Sequence, residues 1–149
     1  MDISELHRRA EAGSVVAQSI LGTCYLEGID VEINYEQAFR FLSSAARRGV
    51  PRAIANLARM YAGGLGVQED IHGAIRLYEV ASASGEFLAQ IELGRIFSRG
   101  IGVPIDSVAV TRWYSAAIAQ ADAVAECDDL REARDYVRRA TGEKSVDQS

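Results

Sequence analysis

Proline, cysteine and histidine are nearly missing from this chain, with two of each in 149 residues, and tryptophan occurs once. Scarce proline leaves long stretches free to run as unbroken helix. Scarce aromatic residues, 7% of the chain, disfavour sheet. No apolar run approaches the roughly 20 residues that span a bilayer, so no membrane contact is expected. A surplus of basic residues is missing too. The net charge is −5, which argues against a nucleic-acid partner held through phosphates. The run Met1-Asp2-Ile3-Ser4-Glu5-Leu6-His7-Arg8-Arg9 has no apolar export core. A cytoplasmic protein is therefore expected, with the periplasm or the exterior following only if an export signal was trimmed away.

What remains is a chain that is 48% apolar and 25% charged, ordinary for a globular domain. Its length suits one domain that buries about two thirds of its unfolded surface. Abundant alanine favours helix.

Positions recur every 36 residues. Ala17, Ala53, Ala89 and Ala125 keep this spacing, as do Leu21, Leu57 and Leu93. Tyr25, Tyr61 and Phe97 follow, then Gly28, Gly64 and Gly100, then Val31, Val67 and Val103. Arg40, Arg76 and Arg112 recur, and Ala45, Ala81 and Ala117 close the unit. Such a gapless register marks a stack of helix pairs. Repeats are expected at about 14–49, 50–85 and 86–121, after a half repeat at 1–13. A capping helix at 122–140 and a disordered tail at 141–149 complete one domain over 1–140. The expected fold is all-α, an α/α solenoid of about eight helices.

In each repeat a first helix, A, spans about Val16–Glu27, Arg52–Ala62 or Leu88–Arg99. Its core stripe in the first repeat is Ala17, Leu21, Cys24 and Tyr25. Gly22, Ala58 and Gly94 are small, and the two glycines weaken helix propensity, which implies a neighbouring helix approaching closely. Gly28, Gly64 and Gly100 end helix A, since glycine accepts the left-handed C-cap. Asp30 replaces a glycine of the connector and tolerates positive φ better than most residues. Asn34, Asp70 and Asp106 are N-cap residues for the second helix, B. Pro51 suits a first helical turn.

The unit A-x-x-x-L-G-x-x-Y-x-x-G-x-G-V-x-x-D, then A-x-x-W-Y-x-x-A-A, resembles the Sel-1-like repeat, a branch of the tetratricopeptide superfamily. Ala89–Gly102 and Trp113–Ala117 carry the resemblance best, and it covers about residues 4–125. It departs at Asp30, Ala58, Val110 and Ala121. The resemblance implies a right-handed superhelix with helix A on its concave side. It also implies adaptor, scaffold or regulator roles, including neutralisation of a bacterial toxin or effector.

Few residues suggest chemistry. His7 and His72 fall at outer positions and are expected to be solvated. The Gly-x-Gly-Val connectors follow no strand and precede no Gly-Lys-Ser/Thr, so they are turns rather than a phosphate loop. No nucleophile, base and carboxylate fall together, so a hydrolase is disfavoured and no cofactor or metal is expected. Cys24 and Cys127 lie three repeats apart, beyond disulfide reach, and are expected as two buried thiols.

The candidate site is the helix A face turned away from helix B. Val16, Ile20, Thr23 and Glu27 share one stripe, continued by Arg52, Asn56 and Arg59 and then by Leu88, Glu92, Arg95 and Arg99. Arginine suits bidentate carboxylate contacts. The expected ligand is another protein with an acidic segment, held by Arg52, Asn56, Arg59, Glu92, Arg95, Arg99, Ile20 and Thr23. The expected form is a monomer or weak homodimer. Immunity-type toxin neutralisation is one alternative, and a nucleic-acid-binding or hydrolytic repeat protein another.

Overall fold

The structure is a computed structural model and describes residues 2–120 and 126–142. Among the described residues eight helices follow in order: α1 (Ile3–Glu11), α2 (Val15–Glu27), α3 (Tyr35–Arg47), α4 (Pro51–Gly63), α5 (Ile71–Ala83), α6 (Phe87–Arg99), α7 (Ser107–Ile118) and α8 (Asp128–Thr141). No strand occurs among the described residues. The backbone groups into two compact units, Met1–Glu86 and Phe87–Ser149, which divide at the start of the third repeat.

Local chemistry sets each boundary. Asn34 and Asp70 accept a hydrogen bond from the amides of Gln37 and Gly73 at 3.1 and 2.9 Å. Asp106 accepts from Val108 and Ala109, both at 3.1 Å. These bonds satisfy amides that the first helical turn leaves free. The same three residues donate their backbone N–H to Tyr25, Tyr61 and Phe97, the recurring aromatic positions near the end of helix A. One bond thus sets the length of each connector. Gly28, Gly64 and Gly100 take φ of 73°, 61° and 63°, the left-handed turn that stops helix A. Asp30 also sits at positive φ, 59°, where later repeats carry glycine. Pro51 opens α4 at its first turn, and α4 has no side-chain N-cap bond.

In the first unit α2 packs on α1 and α3, α4 packs on α3 and α5, and α2 meets α4 directly. Leu21, Leu42, Ala53 and Met60 are fully buried between them. A buried leucine contributes about 1.5–3 kcal/mol by leaving water. Gly22 shows why a small residue was needed, since a Cβ there would lie 2.6 Å from Leu42 Cγ. In the second unit α6 packs on α7, and α8 covers both. Gly94 has the same reason as Gly22, with the ring of Tyr114 against it.

Several expectations need correction. His7 is half-buried rather than solvated. Its Nε2 lies 2.6 Å from Tyr25 Oη, and its ring meets Tyr25 and Phe41 edge-on. Cys127 is the half-buried N-cap of α8, not a core thiol, because α8 begins one residue later. Thr141 is helical rather than tail, and its hydroxyl donates to the carbonyl of Val137 at 2.9 Å. Ala121, Ala125 and residues 143–149 lie outside the described residues.

Candidate functional site

In the first unit α2 and α4 lay the expected stripe side by side. Val16 is 66% exposed and Ile20 is 37% exposed. Thr23 is half-buried. Its hydroxyl donates to the carbonyl of Ser19 and accepts from Asn56 Nδ2, both at 2.9 Å. Asn56 is 1% exposed, so it is a packing residue and not an open contact. The direct approach of α2 to α4 traps its amide, and Thr23 satisfies it.

The arginines are not waiting for a foreign carboxylate. Arg52 lies 2.7 Å from Glu86, and Arg59 lies 2.8 Å from Glu27. Both guanidinium groups stay about half exposed; water screens the Arg59–Glu27 pair, which contributes little, while Glu86 is only 13% exposed and its pair with Arg52 is more sheltered.

The second unit differs. Arg95 is mostly covered and holds three carboxylates: Glu92 at 3.0 Å, Glu132 at 2.8 Å, and Asp129. Burial opposes its charge, but the hydrogen bonds it donates to Glu132 and Asp129 outweigh that and push its pKa above the ordinary arginine value. Arg99 adds a longer contact to Glu132 at 3.4 Å. Glu132 and Asp129 belong to α8, so this cluster fastens α8 to α6. The expected role of Arg52, Arg59, Arg95 and Arg99 as open partners is corrected to this extent: each already holds a carboxylate of its own chain. Leu88 is half-buried.

A groove that the repeat periodicity does not mark lies on the helix B side of the first unit. It has a volume of about 410 Å³ and lies between α3 and α5 with α4 as its floor. Phe39, Ser43, Ala46 and Arg47 form one wall, Leu77 and Val80 the other, and Ile54 and Leu57 the base. The available signal was Val80, a large apolar residue exposed on a helix B that also exposes His72, Arg76 and Glu79.

His72 is exposed. Among the described residues no three His, Cys, Asp or Glu side chains come together as a metal site, and no helix is long and apolar enough to cross a membrane.

Recurring helix pairs with the same caps, connectors and close-packed small residues define a helical repeat protein. The Sel1 repeat profile matches residues 15–50, 51–86 and 88–122, and the chain belongs to the Sel1 repeat family. Its fold class is the α/α solenoid. A solved Sel1 repeat protein from Oxalobacter formigenes is 39% identical, with a TM-score of 0.68 over 90% of this chain and 98% of that one. A protective antigen present in uropathogenic Escherichia coli strains, displaying an SLR fold, is 34% identical with a TM-score of 0.70. That match covers 78% of this chain and 25% of the antigen, so the chain spans about a quarter of that protein. A comparison with curated proteins finds no match.

Proposed function

We propose that this chain is a non-catalytic protein-interaction module that receives a partner segment on the helix A face of its first unit. The observation that supports this reading is the exposure of Val16 and Ile20 beside half-exposed Arg52 and Arg59. Apolar side chains in water beside a charged rim make a usual interface pattern. The partner's apolar residues supply the affinity by covering Val16 and Ile20. Its carboxylate displaces Glu27 from Arg59, whose present pair is weak, an exchange close to neutral in energy, while Arg52 keeps the sheltered Glu86. The arginines therefore set register and association rate more than affinity. Thr23 and Asn56 hold α2 and α4 in register beneath this face.

The test uses crosslinking in native cells with a photoreactive amino acid at Ile20, then sequencing of the attached segment. The recovered segment is then titrated against the purified chain and the Ile20→Glu variant. At least a tenfold loss of affinity with unchanged circular dichroism is expected. Equal affinity for both proteins would place binding elsewhere.

A further inference from the structure

The repeat register allows the two grooves between B-type helices in the first unit to be compared position by position. The first lies between α1 and α3 and is lined by Ala10, Glu11, Gln18, Arg40, Phe41 and Ser44, with Arg47 at its edge. The second is the apolar groove between α3 and α5.

The first groove is closed by its own side chains. Glu11 and Arg40 form a two-pronged ion pair across it, with both oxygens 2.9 Å from the guanidinium. Gln18 reaches up from α2, donating to the Ala10 carbonyl at 3.1 Å and accepting from Ser44 Oγ at 2.9 Å. Apart from Arg47 at its edge, the polar side chains there are partnered from within the chain.

Adding 36 to each number gives the equivalent positions, of which those at 47, 54 and 80 line the second groove and that at 76 is placed beside it by the register. Glu11 becomes Arg47, and Arg40 becomes Arg76. Gln18 becomes Ile54, and Ser44 becomes Val80. The ion pair is replaced by two arginines, and the hydrogen-bonded bridge by two apolar side chains. Arg47 and Arg76 are both exposed, and neither makes an ion pair among the described residues. This contrasts with Arg40, Arg52 and Arg59 of the same unit, each of which holds a carboxylate. Val80 stands 55% exposed above Ile54 and Leu57. Two like charges where the preceding repeat pairs opposite ones repel each other unless an anion sits between them.

We propose that the α3–α5 groove is a second docking surface, which takes a partner polypeptide segment bearing a carboxylate next to apolar side chains. The carboxylate bridges Arg47 and Arg76, replacing the missing glutamate of the register. Guanidinium groups favour such a ligand through charge-assisted, two-pronged bonds. The neighbouring apolar side chains cover Val80, Ile54 and Leu57, and the groove's volume lies in the usual range for a small-ligand or side-chain pocket. This surface is separate from the helix A face of the proposed function, and variants at Ile20 leave it intact.

The probe is a capped 14-residue alanine-based helical peptide with leucines one turn apart and a single central glutamate. A matching peptide carries glutamine in its place. Both are titrated against the isotope-labelled full chain, and amide shifts are read by NMR. The glutamate peptide is expected to bind at least tenfold more tightly than the glutamine peptide, with shifts centred on α3 and α5. Arg47→Glu restores the ion pair of the first groove, so it is expected to remove the preference for glutamate while holding or raising the melting temperature. Val80→Ser is expected to weaken both peptides about equally. No saturable binding, shifts centred elsewhere, or a glutamate preference that survives Arg47→Glu would each overturn the proposal. So would self-association of the chain in sedimentation that Arg47→Glu abolishes, since the occupant would then be a second copy.

Discussion

Asn56 shows what spacing alone conveys about a single residue. It stands four positions after Arg52, on a stripe whose neighbours face water, and an open contact is the natural expectation. What buries it is a hydroxyl 33 positions earlier in the chain, which no local pattern reveals. Asn56→Ala is expected to lower stability by about 1–3 kcal/mol, since it leaves Thr23 with an unsatisfied partner position in a covered site. Urea denaturation of the full chain measures this, and an unchanged midpoint would show that water replaces the amide at no cost. The thiols offer a second measurement at this scale. Burial, with the nearby charges of Asp30 and Glu27, pushes the Cys24 thiol above its ordinary pKa, so less of the reactive thiolate forms. Cys127 is half-buried at a helix start. A maleimide at neutral pH is expected to label Cys127 within minutes and Cys24 only upon unfolding, as counted by mass spectrometry.

At the scale of elements, boundaries were legible and pairings were not. Asn34, Asp70 and Asp106 cap the helices they were expected to cap, and Gly28, Gly64 and Gly100 stop the ones they were expected to stop. Those signals act within a few residues, where chemistry and sequence distance coincide. The partner of Arg59 and two of the three partners of Arg95 lie more than 30 residues away, and periodicity names the face without naming the carboxylate that arrives there. The α3–α5 groove escaped for a related reason: it is defined by departures from the register at Arg47, Ile54 and Val80, and the register draws attention to what is kept. Helix α1 carries a measurable local device. Hydrogen bonds from Arg8 and then Arg9 hold the Glu5 carboxyl down to about 2 from a usual 4.5. A depressed carboxylate stabilises the fold fully above its unfolded pKa. That contribution fades as pH falls from about 4.5 through 2. The wild-type chain is therefore expected to melt above Glu5→Gln at pH 6, and the two melting curves should converge near pH 2. The side chains are exposed, so 1 M salt should also shrink the difference.

For the whole molecule, a repeat stack draws its stability from contacts between neighbours, and an end helix has a neighbour on one side only. In the first unit α1 buries only Leu6 and Ala10, against seven residues for each of α2 and α4. In the second unit α8 buries Leu130 and Ala133 and relies on the Arg95 cluster. Native-state hydrogen exchange should find α1 opening before α2 and α4, and α8 opening before α6. Arg95→Met should speed exchange in α8 well beyond its effect on α6. Uniform protection within either unit would mean that the unit opens only as a whole.

The substitution of Arg47 for the glutamate of the preceding repeat has a consequence for how such chains diversify. Internal duplication supplies several copies of one structural bond, and a stack needs only some of them. A copy that keeps the bond maintains the architecture, while a copy that loses it is released to acquire specificity without founding a new fold. Two positions per repeat, those of Glu11 and Arg40, then act as a dial. On the docking proposal above, opposite charges would set a repeat to closed, as Glu11 and Arg40 do, and like charges would set it to receptive. Exchanging residues at these positions among the repeats is a direct route to redesigning what a Sel1 array recognises.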